Sequence, residues 1–219
     1  MQLISNEELT NILAGRRVVI LGSAPSVLKN NGDFIDNFDI IIRLNNYKIY
    51  GYRSHVGSRT DIYYSFFGKS IKKTNEELKE DGTRWIMCKY PNANFTAHNG
   101  GKIEPGISDN CKWVYDFRRD WFKLPTWIPT IKQFKKNFDL LNRIPTTGVS
   151  CILDVLKFKP KSIYITGFDF FDSMIHNTNE AWKPGDGNHD HAREKELVYK
   201  LFLDKKIMID ETIRGKICQ

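Results

Sequence analysis

The chain predicts an α/β fold: a single Rossmann-like domain whose mostly parallel sheet carries helices on both faces. Three observations predict it. Short, continuous, β-branched apolar runs recur along the sequence, as strands buried on both faces of a parallel sheet require. They alternate with segments long enough for a crossover helix, which implies right-handed βαβ units. And 219 residues suffice for one α/β domain with a two-faced core but not for two large domains.

Taken in order, the run Arg17-Val18-Val19-Ile20-Leu21-Gly22 reads as the first buried strand, closed by a glycine. A helical turn at 26–31 follows. Phe38-Asp39-Ile40-Ile41-Ile42-Arg43-Leu44 reads as a second strand, Asp61-Ile62-Tyr63-Tyr64-Ser65-Phe66 as a third and Arg84-Trp85-Ile86-Met87-Cys88 as a fourth, with a helix over 71–80. Residues 90–143 then break the alternation with prolines at 91, 105, 125 and 129 and glycines at 100, 101 and 106. This stretch reads as an acceptor-facing insertion within the single 1–219 domain, irregular apart from a helix over 130–141. Regularity returns with an amphipathic helix over 147–158, a strand over 161–167, a helix over 191–203 and a last strand over 206–209.

Hydrophobic content of 41% and aromatic content of 13%, without a low-complexity tract, describe a folded globule. Cys88, Cys111, Cys151 and Cys218 are too scattered for a zinc site and too few for a disulfide scaffold, so free thiols are expected. No stretch reaches the 18 apolar residues of a membrane span, and Glu7 and Glu8 stand where a signal peptide would be basic and then apolar. The expectation is a cytoplasmic protein with no integral membrane segment, able to sit peripherally at a membrane surface. The net charge of +7 favours acidic partners without choosing among phosphorylated small molecules, anionic glycans, membranes and nucleic acid.

Four segments place polar groups where an open α/β sheet binds ligands, beyond the carboxyl ends of its strands. Gly22, Ser23, Ala24, Pro25 and Ser26 put small residues and hydroxyls after the first strand, where backbone N–H groups can approach a phosphate. This is neither G-x-G-x-x-G nor a lysine-bearing phosphate loop, and a Pro-terminated turn is the competing reading. Asn45, after the second strand, can donate to a phosphate or ribose oxygen, or simply make a turn. Thr146, Thr147 and Gly148 open a helix, where a threonine can cap and the glycine can admit a ligand close to exposed N–H groups. Gly167, Phe168 and Asp169 end a strand, where a nucleoside contact competes with a plain exit into a loop.

His176, His189 and His191, with Asp186, Asp190 and Glu194 nearby, raise the possibility of a metal site. Their spacing matches no H-E-x-x-H pattern and the chain has no D-x-D pair, so acid–base chemistry ranks above metal and no cofactor is expected. A histidine at a loop-to-helix junction titrates near neutrality, as a general base must, and Glu194 is near enough to orient it or to cap the helix. The aromatic and basic side chains from Trp113 to Trp127, among them Tyr115, Arg118, Arg119 and Lys123, suit sugar stacking, single-stranded nucleic acid or a half-buried flap.

In sequence order these segments resemble the sialyltransferases. The stretches 18–26, 38–46, 51–52 and 56–61 look like the large sialyl motif of the animal-type family, and 146–168 looks like the small one. His189 with Glu194 five positions later matches the very short motif, and His176 is placed as the histidine of the third. Ala24-Pro25-Ser26 and Gly167-Phe168-Asp169-Phe170-Phe171 are closer to bacterial enzymes that act on lipooligosaccharide. The resemblance implies a variant glycosyltransferase-A fold, a CMP-activated sialic acid or related acidic sugar as donor, a glycan or glycolipid acceptor, inversion at the anomeric carbon and no metal.

By the same resemblance, Ser23, Ala24, Asn45, Thr147 and Gly148 would hold the donor nucleotide and phosphate, Gly167 and Phe168 the nucleoside, and His189 would be the base. The chain departs from the animal-type pattern in carrying no cysteine before Val18 to pair with Cys151, and in having Ser23 where the first loop usually has asparagine. A donor such as CMP-Kdo or another nucleotide sugar, a sugar-nucleotide sensor without activity and a nucleic-acid-binding module are the rival readings. Nucleic acid is not the expected partner.

Overall fold

The strand β1 (Arg17–Leu21) is buried on both faces and lies inside the main sheet, with a parallel neighbour on each side. Val18 and Ile20 point into one apolar cluster, and Val19 and Leu21 into another, so the alternation of strand side chains fills two cores from one five-residue run. The computed structural model describes residues 2–68, 70–91, 95–98, 102–105, 123–170 and 189–217, with side chains undescribed at 95–98 and 102–105. The expectations placed on His176, on Asp186, on Cys111 and Cys218, and on the 113–122 part of the aromatic and basic stretch lie outside these residues.

Before β1 runs the helix α1 (Asn6–Leu13), which the strand-and-helix pattern did not predict. Its signal was present: Ser5 and Glu8 form a reciprocal capping box and Leu9 and Leu13 are buried against the sheet. After β1 come a short 3₁₀ turn (Pro25–Lys29), α2 (Gly32–Asp36), β2 (Ile40–Leu44), α3 (Arg53–Val56), β3 (Ile62–Ser65), α4 (Asn75–Glu80) and β4 (Trp85–Cys88). The 95–98 and 102–105 segments pair antiparallel as the hairpin β5 (Phe95–His98) and β6 (Lys102–Pro105), apart from the main sheet.

Two residues, β7 (Thr126–Trp127), return to the edge of the main sheet beside β4, and residues 2–4 bond to that edge through Gln2 and Ile4. The stretch from 90 therefore contributes to the central sheet as well as to its surroundings. Then follow α5 (Ile131–Leu141), α6 (Thr147–Leu156), β8 (Ser162–Thr166), α7 (His191–Leu203), β9 (Met208–Ile209) and α8 (Glu211–Ile217).

The seven main strands are all parallel, in the order β7-β4-β3-β2-β1-β8-β9. The chain winds outward from β1 through β2, β3, β4 and β7, then crosses to the other side of β1 to lay down β8. The order reverses between β1 and β8, and the crevice beyond the carboxyl ends of those strands is where open α/β sheets bind ligands. Gly22 and Gly167, the residues following β1 and β8, both lie there.

Candidate active site

The two strand ends at the reversal are locked together by backbone. Gly22 N–H donates to the Thr166 carbonyl at 2.8 Å and Ala24 N–H to the Gly167 carbonyl at 3.0 Å. The approach is close enough to require glycine: a Cβ on Gly22 would lie 2.1 Å from the Gly167 carbonyl oxygen. Gly167 itself adopts φ +72°, a left-handed conformation that favours glycine.

Phe168 is buried at 8% exposure, with its ring between the two loops. A Cβ on Gly148 would lie 2.5 Å from Phe168 Cε1 and one on Gly22 3.1 Å from Cδ2. The aromatic ring expected to face a nucleoside thus joins the first loop to the start of α6, and the space left by Gly148's missing side chain is filled by that ring. Ala24 is buried, Ser23 and Ser26 are partly exposed and Pro25 is exposed. Ser26 Oγ is enclosed and has no hydrogen-bond partner among the described residues.

At the start of α6, Thr146 is the N-cap: its Oγ1 accepts from Val149 N–H. The N–H groups of Thr147 and Gly148 have no intrahelical acceptor, by the geometry of a helix start, and both residues are partly exposed. These donors point out of the positive end of a ten-residue helix. Asn45, at φ 48°, lies beyond the carboxyl end of β2. Its Oδ1 accepts from Ser65 Oγ at 3.1 Å while that oxygen accepts from Phe67 N–H, which leaves the amide N–H groups of Asn45 to donate elsewhere. Asp169 is partly exposed at the exit of β8.

His189 and Glu194 both fasten onto this helix start. His189 Nδ1 bonds the Ile144 carbonyl oxygen at 2.6 Å. A carbonyl only accepts, so Nδ1 carries the hydrogen and Nε2 of the neutral ring keeps its lone pair. Glu194, at 1% exposure, accepts from Thr146 N–H with Oε1 and from Thr146 Oγ1 at 2.8 Å with Oε2. Of the two roles open to Glu194, the cap of α7 falls to Asp190, whose side chain accepts from Arg193 N–H. Burial pushes the Glu194 carboxyl up to about 7, against the lowering effect of the Thr146 bonds and the positive charge of Lys89. The ring of His191 lies 6.1 Å from that of His189. Among the described residues no three His, Cys, Asp or Glu side chains are grouped to hold a metal ion.

A family model, Glycosyltransferase family 29 (sialyltransferase), matches residues 16–206. The chain belongs to that family. It is a glycosyltransferase, and the matched span runs from β1 past β8 and takes in His189. Solved sialyltransferases share the fold. A mammalian sialyltransferase in complex with Gal-beta-1-3GalNAc-ortho-nitrophenol superposes with a TM-score of 0.57 at 18% identity, covering 92% of this chain and 71% of that one. The sialyltransferase CstII from Campylobacter jejuni in complex with cytidine-5'-monophosphate gives 0.53 at 20% identity, covering 90% and 79%. An alpha-2,3-sialyltransferase from the same organism in apo form gives 0.54 at 19%, covering 95% and 77%. The curated proteins include no match to this chain.

Within this family 29 domain several supporting residues escaped sequence reasoning. Arg43 is 1% exposed and donates to the carbonyls of Val56 and Arg59 and to Thr60 Oγ1, bracing the exit of β2 that carries Asn45. Burial lowers its pKa to about 10, so it remains a cation at neutral pH. Thr166 and Asp210 form another support, under the first loop. Cys88 and Cys151 are buried and neither is in a disulfide. No described helix is long and apolar enough to cross a membrane.

Proposed function

We propose that the protein transfers a sialic acid, or a related acidic sugar, from a CMP-activated donor to a glycan or glycolipid hydroxyl, with inversion and without a metal ion. The observation that carries the reading is the bond from His189 Nδ1–H to the Ile144 carbonyl, two residues before the Thr146 cap. It presents a basic Nε2 beside a helix start with unpaired N–H donors. Support comes from the family and from the fold it shares with a CMP-bound sialyltransferase.

In this mechanism the donor phosphate rests on the Thr147 and Gly148 N–H groups, with Ser23 and Asn45 donating from the first and second strand exits. His189 Nε2 takes the proton of the acceptor hydroxyl as its oxygen attacks the anomeric carbon, and the bond to the CMP phosphate oxygen breaks on the opposite face. Attack and departure on opposite faces invert the centre. Charge growing on the phosphate is met by fixed N–H dipoles and hydroxyls, so neither a strong general acid nor a divalent ion is required. Thr146 and Glu194 hold the helix start in place.

The test is thermal denaturation with CMP, UDP, GDP or ADP, each with and without EDTA. A ligand at a hundred times its Kd stabilises the native state by about 2.7 kcal/mol. CMP alone should raise the Tm, by the same amount in chelator. Equal shifts from all four nucleotides, or a CMP shift abolished by EDTA, would overturn the donor and metal assignments respectively.

A further inference from the structure

The first loop is held at both of its ends by one short piece of β8. At the near end Gly22 and Ala24 bond the backbone of Thr166 and Gly167. At the far end Asn30, which follows the 3₁₀ turn, donates from Nδ2 to the Val27 carbonyl at 2.8 Å and to Thr166 Oγ1 at 2.7 Å. Thr166 is fully buried, and its hydroxyl hydrogen is committed to Asp210 Oδ2 at 2.6 Å, a charge-assisted bond. That commitment fixes the rotor so that a lone pair faces Asn30.

Asp210 is itself anchored. Its N–H donates to the Ile165 carbonyl, and its Oδ1 accepts from Ile213 N–H and caps α8, the last described helix. A single carboxylate therefore ties the C-terminal helix, the end of β8 and, through Thr166 and Asn30, the loop beyond β1.

From this geometry we infer that Asp210 is a positioning residue for the donor, acting through Thr166 and Asn30 to set the 22–30 loop; the donor itself is that of the function proposed above. Asn30 is 136 positions from Thr166 and Asp210 a further 44 on, so the segment after β9 takes part in shaping a site formed at the other end of the chain. Thr166→Val removes both bonds while keeping a β-branched side chain in a strand. Asp210→Asn keeps one acceptor oxygen for Ile213 N–H and turns an amide donor toward Thr166 Oγ1, so the charge-assisted bond that orients the Thr166 hydroxyl is lost.

CMP binding by calorimetry and amide hydrogen exchange over 22–30 test the inference, with Asp39→Asn as control. Asp39 pairs with Arg17 at the opposite, amino end of the β1–β2 pair, so its loss perturbs the same strands away from the loop. Thr166→Val and Asp210→Asn should each weaken CMP about tenfold and speed exchange at 22–30, with the control within twofold at a comparable fall in Tm. CMP affinity unchanged in both variants, or lost equally in the control, overturns the inference. If the wild-type chain binds no CMP, the donor reading fails by itself; faster exchange confined to 22–30 then upholds the positioning role and unchanged exchange overturns it.

Discussion

His189 Nδ1 donates to the carbonyl oxygen of Ile144 at 2.6 Å, so the imidazole and the start of α6, 45 residues apart in sequence, form one rigid unit. The bond selects the tautomer that leaves Nε2 basic and fixes the ring plane against a helix start whose first N–H groups have no intrahelical acceptor. Replacing the ring removes the proposed base but not the proposed donor contacts. His189→Ala should lower turnover about 100- to 10,000-fold, the usual contribution of a general base, with CMP affinity within twofold of wild type. Transfer at the parental rate would dismiss His189 as the base.

Glu194 makes a pH prediction whose sign follows from its direction of shift. Its carboxyl is raised by burial from 4.5 to about 7. Between those values the folded state retains a proton that the unfolded chain has lost, so stability falls as pH rises through the window and levels off above it. A shift of that size corresponds to about 3 kcal/mol. Glu194→Gln cannot ionise and should remove this slope, seen as urea-derived stabilities of the two proteins converging toward neutral pH if the wild type starts the more stable in acid. Parallel pH profiles from 4.5 to 7 would show that Glu194 does not titrate there.

The main strands were legible because a strand buried on both faces is built on an apolar run, and such a run has sharp ends: residues 17–22 enclose β1 and 38–44 enclose β2. The edge strand β7 was not, since Thr126–Trp127 is too short to carry a period. The short helices α2 and α3 were missed for a related reason: four or five residues show no amphipathic repeat. At the site the cap could be read because its reason is local, as with Thr146 before Val149, whereas Gly22 and Gly148 are held to glycine by Gly167 and Phe168, which only the fold brings near. What Arg43, Thr166 and Asp210 do depends on partners brought close only by the fold, and so does the packing of the Phe168 ring against Gly22 and Gly148.

Asp154 supports the site from below. It is 1% exposed, and its carboxylate accepts from Tyr64 Oη, Asn137 Nδ2 and Lys157 Nζ, each at 2.8 Å, joining β3, α5 and α6. Removing the carboxylate leaves three donors, two of them buried, without their acceptor. Asp154→Ala should cost about 3 kcal/mol or more in denaturant unfolding, since breaking a buried charged network strands its partners. Tyr64→Phe deletes one bond and should cost about 1 kcal/mol. If the two variants are equally stable, the carboxylate is not the hub of the network.

Two glycine substitutions should move stability in opposite directions. In Gly22→Ala the new methyl meets the Gly167 carbonyl oxygen at 2.1 Å, a backbone atom pinned by its bond to Ala24 N–H, so the clash cannot be relieved by a side-chain rotation. The β1 and β8 ends must separate, at a cost of about 3 kcal/mol, the upper part of the usual range for overpacking. Gly215, within α8, has no atom within 4 Å of the place a Cβ would take and a φ outside the left-handed region. Gly215→Ala should therefore stabilise the protein by about 0.5 kcal/mol through the lower entropy of the unfolded chain and better helix propensity. Because Gly22 also lies in the loop proposed to hold the donor, Gly22→Ala should weaken CMP binding as well as stability, whereas Gly215→Ala should leave CMP affinity unchanged. A Gly22→Ala protein as stable as wild type would mean that the two strand ends are not packed as closely as their carbonyl and amide bonds require.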